Sequence, residues 1–306
     1  MIELLHAADR LRALLDPDAG FETIASGFVF TEGPAWQPAT STLTFSDLRG
    51  DARWSWRADR GARLEARPAW KVNGATVDLD GSVLLCEHVS SSVVRVRADG
   101  AREIVAFHFE GTYLNSPNDV VVRSDGSVWF TDSNYGRWRH IVGVERPFEL
   151  GFQGVYRVPP GGGAAQLVVA RDEFEQPNGL CFSPDESVLY VDDVDDLKSF
   201  DVRADDTLGP ARVMCSGMGS AGAETGNPDG MRCDEHGNVW VAARDGVWVF
   251  DRAGELLGIV RTPEVCANLT WGGDDWRTLF LCTSTTVRTL RTRVASDPRA
   301  RHGVPR

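Results

Sequence analysis

The sequence predicts an all-β fold, a six-bladed β-propeller with a short N-terminal helix, and three observations predict it. Short runs rich in Val, Leu, Phe and Trp recur down the chain, each introduced by a Gly or Asp turn: STLTFSD, GSVLLCE, GSVWFTD, SVLYVDD, NVWVAAR and TLFLCTS. Aligned on Leu43, Val83, Val128, Val188, Val239 and Leu279, they repeat every ~40 to 60 residues, which suits a four-stranded blade. Several are followed by a second strand and a charged turn, as in SSVVRVRADG, GVYRVPPGG and GVWVFDRAGE. That pattern favours antiparallel meanders over crossover helices, and helix-period stretches are nearly absent after residue 20.

Taken in order, residues 1–20 read as a helical segment, with Leu4, Leu5, Ala8, Leu11 and Leu15 at helical spacing, a packing element on the outside or base of the propeller. The propeller itself is expected over 21–295. Its first segment, FETIASGF at 21–28, is a strand that the last repeat lacks, so it should close the ring by joining blade six. The tail, 296–306, contains Arg and Pro and is expected to fray.

Composition narrows the function. The 306 residues carry 32 Lys and Arg against 44 Asp and Glu, a net charge of −12 that opposes phosphate backbones and anionic membranes. Neither nucleic acid nor a membrane is an expected partner. The six cysteines (Cys86, Cys181, Cys215, Cys233, Cys266 and Cys282) are scattered without a C-x-x-C pair, which reads as reduced thiols in a cytoplasmic protein. The N-terminus mixes acidic and basic residues and does not read as a signal peptide, and no apolar run is long enough to span a bilayer.

The chemistry lies in a second repeating feature. Ten or eleven residues before each aligned strand stands a short polar side chain: Glu32, Asn73, Asn118, Asn178, Asp229 and Asn268. Repetition in a propeller means equivalent places in space, so the six should converge at one mouth of the central channel. Their contexts are stiff: Pro117-Asn118, Pro177-Asn178-Gly179, Pro228-Asp229-Gly230, and Glu32 before Gly33-Pro34. Proline fixes φ ahead of the polar residue and glycine relieves crowding behind it. Any one of these is also an ordinary turn sequence; six in register are not. Two carboxylates with amide oxygens suit one divalent cation, Ca²⁺, Mg²⁺ or Mn²⁺, better than Zn²⁺ held by thiolate or imidazole.

The segments TEGPAW, LNSPNDVVVRSDGSVWFTDSNYG, QPNGLCFSPDESVLYVDD and NPDGMRCDEHGNVWV, the last followed by GVWVFDRAGELLG, closely resemble the senescence marker protein / gluconolactonase / luciferin-regenerating-enzyme family. The resemblance runs from about Phe21 to about Thr292. It implies a six-bladed propeller with one divalent metal, Ca²⁺ first and Mg²⁺, Mn²⁺ or Zn²⁺ as alternatives, held by Glu32, Asn178 and Asp229. It further implies a substrate or additional metal contact for Asn118 and makes Asp229 a general-base candidate, with water activated directly by the metal the alternative. Mammalian-type members place an Arg two residues before that Asn; this chain has Ser116, so their sugar recognition does not transfer.

The repeat register also presents Asp47, His88, Asp132 with Tyr135, Asp193 and Arg244 at the same face. His88 and Tyr135, with Asn73, are candidate substrate contacts, with structural hydrogen bonding the alternative for His88 and Tyr135. Arg244 either binds a substrate carboxylate or carbonyl or pairs with an acid such as Asp245. An insertion from Ser133 to Gln153, with Arg137, Trp138 and Arg139, is either a lid or an ordinary surface loop. The expected activity is hydrolysis of a small-molecule lactone, with the cation polarising the carbonyl and water attacking. G-x-S-x-G, H-E-x-x-H and Walker patterns are absent from the sequence, which removes the common competing hydrolase and nucleotide readings. The alternatives are a metal hydrolase of organophosphates or phosphofluoridates, and a non-enzymatic calcium-binding propeller.

Overall fold

A computed structural model describes residues 2–6, 9–138, 142–219 and 226–303. Six antiparallel four-stranded sheets stand in a ring, and the fifth carries one extra strand. Blade 1 runs through Thr31–Gln37, Thr42–Asp47, Ala52–Arg57 and Gly61–Ala66, and blade 2 through Val72–Val77, Val83–Glu87, Ser92–Val96 and Arg102–Ala106. Blade 3 is Ser116–Val122, Val128–Ser133, Gly154–Val158 and Gln166–Leu167; blade 4 is Pro177–Phe182, Val188–Asp193, Asp196–Asp201 and Arg212–Cys215. Blade 5 is Met231–Cys233, Val239–Ala243, Gly246–Phe250 and Leu256–Arg261. In blade 6, Cys266–Gly272, Thr278–Thr283 and Thr286–Arg291 are completed by Glu22–Ser26, which pairs antiparallel with Thr286–Arg291. The ring therefore closes as the 21–28 segment predicts.

The core is not one mass but six seams, each between neighbouring blades. Val121 and Trp129 of blade 3 meet Leu180 and Phe182 of blade 4, and Trp240 of blade 5 meets Trp271 of blade 6 edge-on at 5.4 Å. Each large side chain buried in such a seam contributes about 1.5–3 kcal/mol. The indole nitrogens of the three fully buried tryptophans are satisfied: Trp129 donates to Ser127 Oγ at 2.9 Å, Trp240 to Asp234 Oδ2 at 3.1 Å and Trp271 to Thr292 Oγ1 at 3.2 Å.

Two expectations about the termini need correction. The N-terminal helix spans only Asp9–Leu14; Leu4–Leu5, read as its first turn, instead pair with Ile259 and Val260 as an extra strand on blade 5. An unpaired sheet edge offers those residues backbone partners that an isolated turn of helix lacks. Ala8 lies outside the described residues. Leu11, Leu15 and Ala19 pack on blades 5 and 6.

The tail does not fray. Ser296 N donates to Trp276 O at 3.0 Å and Asp297 N to Cys233 O at 3.2 Å, and His302 Nε2 meets Val122 O at 3.0 Å. These carbonyls stand at or near the far ends of the innermost strands, so the tail is laid across the mouth opposite the acid and amide ring. Beneath it, burial pushes the Asp297 carboxyl up to about 6. Because the folded value exceeds the unfolded one, this group favours folding at low pH and loses that contribution as pH rises from about 4 to 6. Asp297→Asn, which keeps an acceptor for the Arg299 amide, should therefore gain about 2–3 kcal/mol on the wild type across that interval. Denaturant melts of both proteins at pH 4 and pH 7 measure it, and parallel curves would refute it.

Candidate active site

The site is built by a distortion repeated from blade to blade. Every innermost strand that contains or abuts a ring residue breaks register there: at Glu32/Ala35, Val72/Ala75, Pro117/Val120, Pro177/Leu180 and Cys266/Asn268. A bulge re-aims the side chain it carries, here away from the blade seam and into the channel mouth. In blade 5 the strand begins only at Met231; before it, Asp229 N reaches Ala242 O at 2.9 Å and Gly230 N crosses to Ala267 O of blade 6 at 2.8 Å. Close packing at these points excludes larger residues. A methyl group on Gly179 would strike the Asp229 carbonyl, and one on Gly230 the Asn268 side chain.

Five of the six register residues, Glu32, Asn73, Asn118, Asn178 and Asp229, line one cavity of about 200 Å³, together with Tyr135, Val142, Arg49 and Phe30 among others. The sixth does not line it. Asn268 donates from Nδ2 to Glu32 Oε2 at 3.1 Å while its Oδ1 accepts from Leu269 N at 2.8 Å, so it positions Glu32. Gly33 N donates to the same Glu32 Oε2 at 2.7 Å. Asn178 is likewise oriented, with Nδ2 directed at Pro228 O at 3.4 Å.

Electrostatics make this a place for a cation. Burial, with the neighbouring Asp119 charge, pushes the Glu32 carboxyl up to about 7. Asp229 is pushed well above the ordinary range by burial, then by repulsion from Glu32, Asp192 and Asp119. The Oδ1 atoms of Asn73 and Asn178 are buried without a hydrogen-bond partner. Two repelling carboxylates with orphaned amide oxygens are the donor set a hard divalent ion accepts.

Tyr135 lines the cavity, its phenol pKa raised by burial and by the Asp229 charge. The other second-rim residues are placed differently from the expectation. His88 is buried beneath the insertion with Nδ1 on Val142 O at 3.1 Å, its imidazole pushed down to about 4 by burial, and it is not a lining residue. Nor is Arg244, whose Nη1 donates to Gly219 O at 2.9 Å. Asp47, Asp132 and Asp193 turn inward and accept backbone amides of the segments entering their own blades: Phe30 N at 2.9 Å, Ser116 N at 2.9 Å and Gln176 N at 2.7 Å. A carboxylate at the end of a second strand satisfies donors that the broken first strand leaves unpaired. The insertion supplies Tyr135 and Val142 to the wall and is anchored by Gly136 N on Ser116 Oγ at 2.9 Å. Ser116, which stands where mammalian-type members have Arg, is thus a buried fastening. Arg139 lies outside the described residues.

Sequence reasoning missed the layer below the ring. Buried Asp119 pairs with Arg232 Nη1 at 3.4 Å, and both oxygens of fully buried Asp192 lack a hydrogen-bond partner. Arg232, a lone cation in the short innermost strand of blade 5, was the available signal.

Fold and site together define a six-bladed propeller with an acid and amide ring at one end of its channel. The family model described as the SMP-30/Gluconolactonase/LRE-like region matches residues 30–285, and the chain belongs to that family. A gluconolactonase of Zymomonas mobilis is 30% identical, the match covering 93% of this chain and 84% of that protein. The solved structure of a gluconolactonase from Xanthomonas campestris is 34% identical with a TM-score of 0.85, covering 95% of each chain. Regucalcin from Agrobacterium tumefaciens, a calcium-binding protein, shares the fold at 20% identity and a TM-score of 0.70, over 90% of this chain and 95% of its own.

Proposed function

We propose that the protein hydrolyses a small lactone and does so with one divalent cation, Ca²⁺, held by Glu32, Asn178 and Asp229. The observation that carries this reading is the convergence of two mutually repelling carboxylates and orphaned amide oxygens in one cavity. The gluconolactonases of Zymomonas mobilis and Xanthomonas campestris supply the ester class. When bound, such a cation supplies Lewis-acid polarisation of the lactone carbonyl and stabilises the charge that develops on its oxygen.

The chain's own residues do the rest. Asp229 takes a proton from the water that adds to the carbonyl carbon; the ring C–O bond then breaks, and the proton passes to the departing alkoxide, giving the open hydroxy acid. In the chain alone, burial and the Glu32 charge raise the Asp229 carboxyl; a divalent cation held by the same carboxylate would lower it again, so water activated by the cation itself is the alternative source of the nucleophile. Asn73, Asn118 and the Tyr135 phenol face the cavity as hydrogen-bonding groups for substrate hydroxyls. All six cysteines are free and five are buried, which fits a reducing compartment and supports a cytoplasmic setting. Among the described residues no helix is long and apolar enough to cross a membrane.

The test is an assay of metal-stripped protein on aldonolactones and simple γ- and δ-lactones, repeated with Ca²⁺, Mg²⁺, Mn²⁺ and Zn²⁺ restored. Turnover should vanish on stripping and return best with Ca²⁺. Undiminished turnover in chelator would overturn the cation's role.

A further inference from the structure

Arg49 is the one cation among the described residues that line the cavity. Its guanidinium stands over the Phe30 ring, 4.8 Å from the centroid, and is exposed. Among the described residues no carboxylate pairs with it and no carbonyl accepts from its side chain. Neighbouring cations are otherwise engaged: Arg137 donates to Leu114 O, Arg146 to His88 O, and Lys71 Nζ to the backbone oxygen of Arg49 itself at 3.1 Å. In a chain of net charge −12, this guanidinium, without a carboxylate partner among the described residues, stands at the mouth of an acidic cavity.

The turn that carries it is built firmly. Asp47 Oδ1 accepts from Phe30 N at 2.9 Å and from Gly50 N at 3.1 Å, Leu48 N donates to Phe30 O at 2.8 Å, and Lys71 N donates to Asp51 Oδ1 at 2.8 Å. A Cβ on Gly50 would meet the Asp47 carboxylate, so a larger residue there would have to displace the group that ties the turn together. Stacking on Phe30 holds the guanidinium without consuming its N–H donors.

We infer that Arg49 is a specificity-determining residue that receives a carboxylate of the ligand. Charge among the lining side chains supports this. With a divalent cation balancing Glu32 and Asp229, Arg49 leaves one positive charge, complementary to a monoanion. The planar fork of the guanidinium matches a carboxylate in two parallel bonds. This inference rests on the lactonase reading for the identity of the ligand. The carboxylate has two possible sources: a second acid group on an acidic sugar lactone, or the group freed when a neutral lactone opens.

The experiment compares wild type, Arg49→Gln and Arg49→Lys. Initial rates are taken on glucono-δ-lactone and on glucaro-1,4-lactone, and binding of gluconate and glucarate is followed by calorimetry in Ca²⁺. For a substrate carboxylate, Arg49→Gln lowers kcat/KM on the acidic lactone relative to the neutral one by about 10- to 100-fold, the scale of a charge-assisted hydrogen bond. For a product carboxylate, that ratio holds while gluconate binding weakens by a similar factor. In either case Arg49→Lys, which keeps the charge but not the fork, falls between the two. Unchanged rate ratios together with unchanged binding of both anions overturn the inference. If the wild type opens neither lactone, the lactonase reading fails separately, and anion binding alone decides the role of Arg49.

Discussion

Asp229→Asn should lose turnover by about 10²- to 10⁴-fold, the usual contribution of a positioned proton acceptor, and saturating Ca²⁺ should not restore it. Glu32→Gln should behave differently. In the wild type Glu32 Oε2 is occupied by the Gly33 amide and the Asn268 amide nitrogen. A glutamine oxygen can keep both bonds, and its NH₂ then occupies the place of the second carboxylate oxygen. An NH₂ cannot ligate a cation, so affinity should fall by at least about 10-fold with the loss of one charged ligand group, yet turnover should return at high Ca²⁺. Calorimetry of Ca²⁺ binding and rates across a Ca²⁺ series separate the two variants. Equal rescue of both would remove Asp229 as the base; unchanged Ca²⁺ affinity in both would remove the ring as the cation site.

The largest stability effect is expected at Gly33. It sits at φ 52°, and an added Cβ would enter the backbone oxygen of Asn73 and approach Ala75 N at 3.1 Å. Neither neighbour is a flexible side chain, so blade 1 must move off blade 2. Gly33→Ala should cost more than about 3 kcal/mol and weaken cation binding as well, because the Gly33 amide orients Glu32. Gly100 is the matched control, since it also has positive φ, 85°, but nothing within 4 Å of its Cβ position. Gly100→Ala should cost only the backbone term, about 1–2 kcal/mol. Thermal and denaturant melts of the two variants give the comparison, and equal losses would show that strain alone, without the blade contact, sets the cost.

Repetition made the ring legible in the sequence: six equivalent loops announce their polar residues by register, and all but Asn268 reach the same cavity. Asn268 departs because its amide is consumed by Glu32, a contact between blades 6 and 1 that no local pattern encodes. Asp47, Asp132 and Asp193 were placed at the correct end, but their work of accepting backbone amides was not legible. Whether a carboxylate at a strand end faces solvent or captures amides depends on the donors left free by a bulge, and bulges are invisible to a count of alternating residues. The tail was misread for a related reason: an Arg- and Pro-containing terminus is usually solvated, but here backbone carbonyls at the channel's far end offer partners to Ser296, Asp297 and His302. Arg49 carried no signal, since only the fold brings an exposed turn residue to the cavity.

The pairing of Glu22–Ser26 with Thr286–Arg291 also orders events during synthesis. Blades 1 to 5 are each complete, apart from one short added strand on blade 5, within a continuous stretch of chain and can form as they emerge. Blade 6 cannot, because its outermost strand, Glu22–Ser26, precedes its partner, Thr286–Arg291, by all the other blades. Until Thr286–Arg291 has been made, the early strand has an open edge and no neighbour, and the ring is an open arc. Joining the two strands costs the loop-closure entropy of all the chain between Ser26 and Thr286. Glu32, a few residues beyond that early strand, acquires its Asn268 partner only at this step, so the acidic ring is assembled by the same event that turns the arc into a closed circle.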